Sequence, residues 1–161
     1  MYSSEKEYLK HYNIHDYDVP LVSVDVAIFT LLDGKLHVLM VERGEYPQKG
    51  RWSLPGGFIN QKQDKDLHAT ALRKLVDKTG VKAPHLEQVT TLGNPNRDPR
   101  GWSVTSLYMA LIPYAPTAEF IDAVIDARWW PVDAALKQAL AFDHADLITQ
   151  ARERLRAKAG Y

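Results

Sequence analysis

The stretch that most constrains the fold is Leu54-Pro55-Gly56-Gly57-Phe58, followed by a charged connector and a helical pattern over residues 66–81. Two adjacent glycines after a proline let the backbone approach a neighbour closely. Leu67, Ala71 and Leu75, with the offset pair Leu72 and Val76, recur at the helical spacing of about 3.6 residues. Asp64 or Asp66 can cap the helix start, and Gly80 stands where a C′ glycine belongs. Asp66, Thr70, Arg73 and Asp77 then share the wet face. A helix start supplies free N–H groups and the positive end of a dipole, so loop and helix together predict an anion site, most plainly for a phosphate.

The chain before that loop reads as strand. Residues 21–32 are almost continuously apolar or β-branched, Asp33-Gly34 makes a tight turn, and 35–41 alternates back, which predicts a hairpin. A loop over 42–52 follows. Its Arg43, Lys49 and Arg51 either face the same anion, arginine through paired donors, or form a solvated basic loop. Trp52 is expected to pack beneath it.

Behind the helix, 85–92 reads as a strand, and 93–102, with two prolines and two glycines, as a loop without regular structure. Arg97, Asp98, Arg100 and Trp102 are its candidate recognition groups: the ring can stack on a base while arginines meet phosphate or ribose. A core strand over 103–113 runs through Val104, Leu107, Met109 and Leu111. After it come an insertion over 116–126, a strand over 127–132 and a short helix over 134–139. In the last helix, Phe142 and Leu147 fit a hydrophobic staple around Asp143 as N-cap, and Leu147, Ile148, Ala151 and Leu155 form the buried stripe. His144, in its first turn, either reaches a ligand or caps.

Residues 1–18 are polar but carry Tyr2, Tyr8, Tyr12 and Tyr17. Such an arm cannot form its own core and is expected to pack on another surface, in the same chain or in a partner, as a dimer contact. Residues 19–161 then read as a single domain. Over the whole chain 20 acidic and 20 basic side chains cancel, whereas a domain that binds nucleic acid alone usually shows a basic excess. The lack of cysteine excludes disulfides, thiolate catalysis and Cys-based zinc sites. No apolar run approaches the ~20 residues that span a bilayer, and the N-terminus is no signal peptide, so a cytoplasmic protein is expected.

Gly57, Arg73, Leu75, Gly80 and Val81 resemble the fixed points of the Nudix box, G-x5-E-x7-R-E-U-x-E-E-x-G-U with U apolar. In that family the glutamates hold magnesium against the diphosphate of a nucleoside diphosphate derivative. Here the first box glutamate falls on Lys65 or Gln63, the glutamate after the arginine is Lys74, and the last pair is Asp77-Lys78. Mg²⁺ needs several converging oxygen ligands. Lysine repels a divalent cation but neutralises a phosphate directly, so the sequence predicts binding without cleavage, no catalytic residues and no metal site.

Beyond the box, residues 19–156 are similar to the Nudix-related transcriptional regulators of NAD metabolism. The similarity lies in residues 20–25, 50–58, 97–101 and 140–145. That resemblance implies an α/β (α+β) Nudix fold, an α/β/α sandwich with a mixed sheet, that senses ADP-ribose and works as a homodimer. Operator DNA would be bound through a C-terminal winged helix-turn-helix domain that these residues do not include. It implies a ligand site from Gly56, Gly57, Phe58, Arg73, the cations at 43, 49 and 51, the 97–102 loop and His144, with no cofactor. The alternative is an active Mg-dependent ADP-ribose pyrophosphatase whose metal is held by Asp77 and a glutamate such as Glu42 or Glu87.

Overall fold

A computed structural model describes residues 1–118 and 123–159. Its axis is strand β1 (Leu21–Leu32), in which seven consecutive residues from Val24 to Thr30 are buried, so both faces of the strand are covered. The Asp33-Gly34 turn returns the chain as β2 (Lys35–Arg43), paired with β1 from Phe29↔Val38 to Leu32↔Lys35. β2 then leaves β1 for β3 (Trp52–Ser53) and β7 (Val124–Pro131). The freed half of β1 is taken by β4 (Gly56–Phe58) through Ser23↔Phe58, Val24↔Gly57 and Asp25↔Gly56. On its other edge β1 runs parallel to β6 (Ser103–Leu111), which β5 (Glu87–Asn94) flanks antiparallel. The sheet is therefore mixed and seven-stranded.

Alternation along β1 divides the core in two. Val24, Val26 and Ile28 pack with Ala71 and Leu75 of α2 (Leu67–Thr79), while Ala27 and Phe29 pack with Leu147, Ile148, Ala151 and Leu155 of α4 (His144–Ala159). Here α1 denotes Glu5–His11 and α3 denotes Val132–Ala135. Helices thus cover both faces, the expected α/β/α sandwich, and the stripe expected on α4 is the buried one. Each fully buried Leu or Ile contributes about 1.5–3 kcal/mol. No helix among the described residues is long and apolar enough to cross a membrane.

Helix α2 starts as expected, with the Asp66 carboxylate accepting the Ala69 N–H at 2.8 Å, and it ends at Gly80 with φ of +74°. Two of its residues differ from the periodic reading: Thr70 is buried and Val76 exposed. The connector folds back on the helix, and Thr70 Oγ1 donates to Asp64 Oδ2 at 2.8 Å. β5 runs on through Gly93 and Asn94, because its ladder with β6 continues to Asn94↔Ser103. On β6, Val104 is only half-buried and Leu111 is exposed at the strand end. β7 begins at Val124 rather than 127, and α3 at Val132 rather than 134. Positions 119–122 of the expected insertion, and Gly160 and Tyr161 at the chain end, lie outside the described residues.

The arm folds locally. Ser4 caps α1 by accepting the Glu7 N–H, and Tyr2, Tyr8, Tyr12 and Tyr17 form a chain of ring contacts 5.4–5.9 Å apart. Residues 1–20 are exposed apart from half-buried Glu7, so the aromatic arm packs on itself and, among the described residues, not on the body of its own chain.

Candidate functional site

Where β2 parts from β1 and β4 replaces it, the sheet edge opens into a cavity of about 280 Å³. Gly56 makes the replacement possible: a β-carbon there would lie 2.3 Å from Val24 O and 2.6 Å from Asp25 Oδ1. Gly57 follows with φ of +155°, and a β-carbon on it would meet Lys74 Cε at 2.7 Å and Nζ at 3.0 Å. The two glycines therefore bring β4 against β1 and leave room for the Lys74 side chain over the loop.

The buried end of the cavity is polar. Thr105 Oγ1 donates to Asp25 Oδ2 at 2.6 Å, and His144 Nε2 lies 3.3 Å from Asp25 Oδ1. The Leu54 N–H donates to His144 Nδ1 at 2.9 Å. Since Nδ1 accepts, a neutral imidazole carries its proton on Nε2, facing Asp25. Burial lowers the His144 pKa and raises that of Asp25, each opposed by the charge of the other.

The β5–β6 loop closes one wall. Arg97, whose side chain is 5% exposed, gives Nε and Nη2 to the Asp143 carboxylate at 3.0 and 2.8 Å and Nη1 to Ser103 Oγ at 3.1 Å. Arg100 donates through Nε and Nη2 to Asp98 at 3.0 and 2.8 Å. Burial pushes the Asp98 carboxyl up, but hydrogen bonds from the Arg100 side chain and backbone outweigh it and hold the pKa below the ordinary value. Arg43 and Phe142 stand across from this loop, and Lys74 and Lys78 line the α2 side.

Of the residues singled out in the sequence, Arg43, Gly56, Gly57, Phe58, Arg97, Asp98, Arg100 and His144 line this one cavity. Lys49, Arg51, Arg73 and Trp102 do not. Lys49 is exposed, with its ammonium 5.8 Å from the Tyr46 ring. Arg51 is exposed, and its carbonyl accepts the Arg43 N–H. Arg73 is a brace: Nε and Nη2 hold Asp64 at 2.7 Å each, and Nη1 reaches Asp77 at 3.4 Å. Trp102 is half exposed and lies over Gly93, clear of the cavity. Trp52 packs under its loop against Trp130, as expected.

The anion site expected at the α2 N-terminus is also displaced. Asp66 already caps that end, and the cavity faces the flank bearing Lys74 and Lys78. Sequence reasoning missed Asp25 and Phe142. A lone acid inside the apolar run 21–32 was the available signal for Asp25, whereas the staple pattern accounted for Phe142 and concealed its place in the cavity.

Residues 22–151 match the NUDIX domain family. The chain belongs to the Nudix family. It is 49% identical over 160 residues to the ADPR responsive transcriptional repressor NtrR of Acinetobacter baylyi, covering 99% of this chain and 64% of that one. The Nudix domain of Shewanella oneidensis NrtR complexed with ADP ribose superposes with a TM-score of 0.91 at 48% identity, over 94% of this chain and 99% of that chain. Shewanella oneidensis NrtR complexed with a 27mer DNA gives 0.77 at 50% identity, over 86% of this chain and 63% of that chain. The chain thus spans less than two thirds of the repressor from Acinetobacter baylyi.

A Nudix catalytic centre implies magnesium, and the donor set among the described residues does not fit it. Lys74 and Lys78 line the cavity in place of two box carboxylates, and Asp77 is turned to Arg73. Glu87 is paired with Lys158 at 2.7 Å, and neither it nor Glu42 lines the cavity. No group of three His, Asp or Glu side chains among the described residues could hold a metal ion. What the walls suit is an anion, met by ammonium and guanidinium groups directly.

Proposed function

We propose that this chain is the effector-sensing domain of a transcriptional repressor of NAD metabolism, which binds ADP-ribose in the cavity and does not hydrolyse it. The observation that carries this reading is the replacement of metal-binding carboxylates by Lys74 and Lys78 on the wall of a cavity that Arg100 also lines. At about 280 Å³ the cavity is near the lower end of small-molecule sites, so an extended nucleoside diphosphate would lie partly inside and partly along its open side. The similarity to a domain complexed with ADP ribose, and to a repressor responsive to it, supports the same ligand. On this reading the repressor acts in the bacterial cytoplasm as a homodimer, and operator DNA is bound by a further domain, in keeping with the neutral charge of this one. To act as a switch, ADP-ribose must bind two states of that dimer with different affinity.

Calorimetric titration with ADP-ribose in EDTA, followed by incubation with ADP-ribose and Mg²⁺, tests the reading. Saturable binding without metal and no AMP above background are expected. Steady AMP release at enzyme-like rates, abolished by chelator, would overturn it in favour of a pyrophosphatase.

A further inference from the structure

Phe142 is the last residue before the α4 entry Asp143-His144, and its backbone stands at φ of +51°, where a residue with a β-carbon stays only if its surroundings hold it. The surroundings are cavity-lining or adjacent groups. Its N–H donates to Gln48 Oε1 at 2.8 Å, and its ring lies 4.8 Å from the Arg43 guanidinium and 5.9 Å from that of Arg100. Arg100 also stacks on Phe58, at 4.8 Å. The two arginines are like charges converging on one small space, and the electron-rich ring faces offset that repulsion.

A guanidinium held by its face keeps its edges for hydrogen bonding. Among the described residues Arg43 gives only Nε to a partner, the Pro47 carbonyl at 2.8 Å, which leaves its four terminal N–H groups for a ligand. Directly after Phe142, Asp143 O accepts the N–H groups of Asp146 and Leu147 at 3.0 and 3.1 Å, in the first turn of α4. A torsional change at residue 142 is therefore a change in how α4 leaves the sheet.

We propose that Phe142 is a positioning residue: its ring presents Arg43 and Arg100 edge-on to an anionic ligand and carries occupancy of the cavity into the first turn of α4. The inference rests on the reading of the cavity as an ADP-ribose site. It adds a residue outside the Nudix box and a route from ligand to helix.

The test compares the wild-type chain with Phe142→Leu, which keeps an apolar side chain but loses the ring, and with Phe142→Tyr, which keeps the ring. ADP-ribose affinity is measured by calorimetry, and amide hydrogen exchange over 143–149 with and without ADP-ribose. Phe142→Leu is expected to bind about tenfold more weakly and to lose the ligand-dependent exchange change, while Phe142→Tyr stays within about twofold and keeps it. Should the Leu variant not fold, Phe142→Met carries the same expectation. Wild-type binding matched by Phe142→Leu, or an exchange change that persists in it, overturns this proposal alone. Absence of ADP-ribose binding by the wild type overturns the functional reading and this inference with it.

Discussion

Asp143→Ala removes the carboxylate that holds Arg97 by two charge-assisted hydrogen bonds of 2.8 and 3.0 Å. Breaking a buried pair by deleting one partner typically costs about 3–5 kcal/mol, because the remaining charge is left uncompensated. Here the remaining charge is the deeply buried Arg97, but three features soften the loss. Ser103 still accepts from Nη1, Asp25 Oδ2 lies 3.8 Å from Nη2, and the Asp143 side chain is 22% exposed, so water can enter its place. The expected cost is therefore about 2–3 kcal/mol, or about 5–10 °C in Tm for a chain of this size. Urea unfolding followed by circular dichroism measures it. An acid at a helix start also interacts with the helix dipole, by up to about 1 kcal/mol, and that part does not depend on Arg97. Repeating Asp143→Ala in an Arg97→Met background separates the two, since only the dipole part survives there. A single-variant cost below about 0.5 kcal/mol, or an equal cost in both backgrounds, would refute the pairing as the source of stability.

Gly56→Ala places a β-carbon 2.3 Å from the Val24 carbonyl oxygen, a backbone atom that cannot move without parting β4 from β1. The expected loss is about 3 kcal/mol, at the top of the range for overpacking, together with loss of ADP-ribose binding; a thermal melt within about 1 °C of wild type would contradict it. For His144→Gln the prediction is a changed pH dependence. Burial holds the folded His144 pKa below its ordinary 6.5, so as pH falls through that value the unfolded chain takes up the proton first and stability declines. Asp25 works in the opposite sense, its raised pKa adding stability at low pH that is lost as pH rises from 3.8 through the folded value. Between about pH 7.5 and about pH 5.5 the urea midpoint of the wild type should therefore fall more than that of the variant. Equal falls, or a steeper one in the variant, would show that His144 does not titrate as a buried neutral ring.

Much of the fold is legible because local rules and tertiary packing agree. The apolar run 21–32 is read as a strand and is one, and the α4 stripe Leu147, Ile148, Ala151 and Leu155 is the buried one. The misreadings fall where a neighbour outranks the pattern. Thr70 belongs to the polar face by periodicity, yet the folded-back connector buries it against Asp64. Gly93 and Asn94 read as loop, yet the ladder to β6 extends through them. For the cavity, residue type gave the candidates but could not sort them. Arg73 and Arg97 are alike in sequence, and only the placement of Asp64 and Asp143 shows that one braces the connector while the other lines the cavity.

The charge of the cavity can be weighed against that of the whole. Among the described residues its lining brings five cations, Arg43, Lys74, Lys78, Arg97 and Arg100, and the carboxylates Asp25, Glu45 and Asp98, with Asp143 paired to Arg97 beside it, in a chain whose formal net charge is zero. A cavity lined by box glutamates would have the opposite sign, and a diphosphate could approach it only with divalent cations between. Here cationic groups are built into the wall, and a diphosphate diester, with one negative charge per phosphate, meets them without an intermediary. The arginines are held in place by pairing: Asp98 and Asp143 each take one in bidentate geometry, while the Phe142 ring lies 4.8 Å from the Arg43 guanidinium. On the functional reading proposed above, exchanging glutamate for lysine on one flank of α2 changes more than the loss of catalysis. It makes ligand affinity a property of the protein alone, independent of metal supply, as a sensor of a metabolite requires.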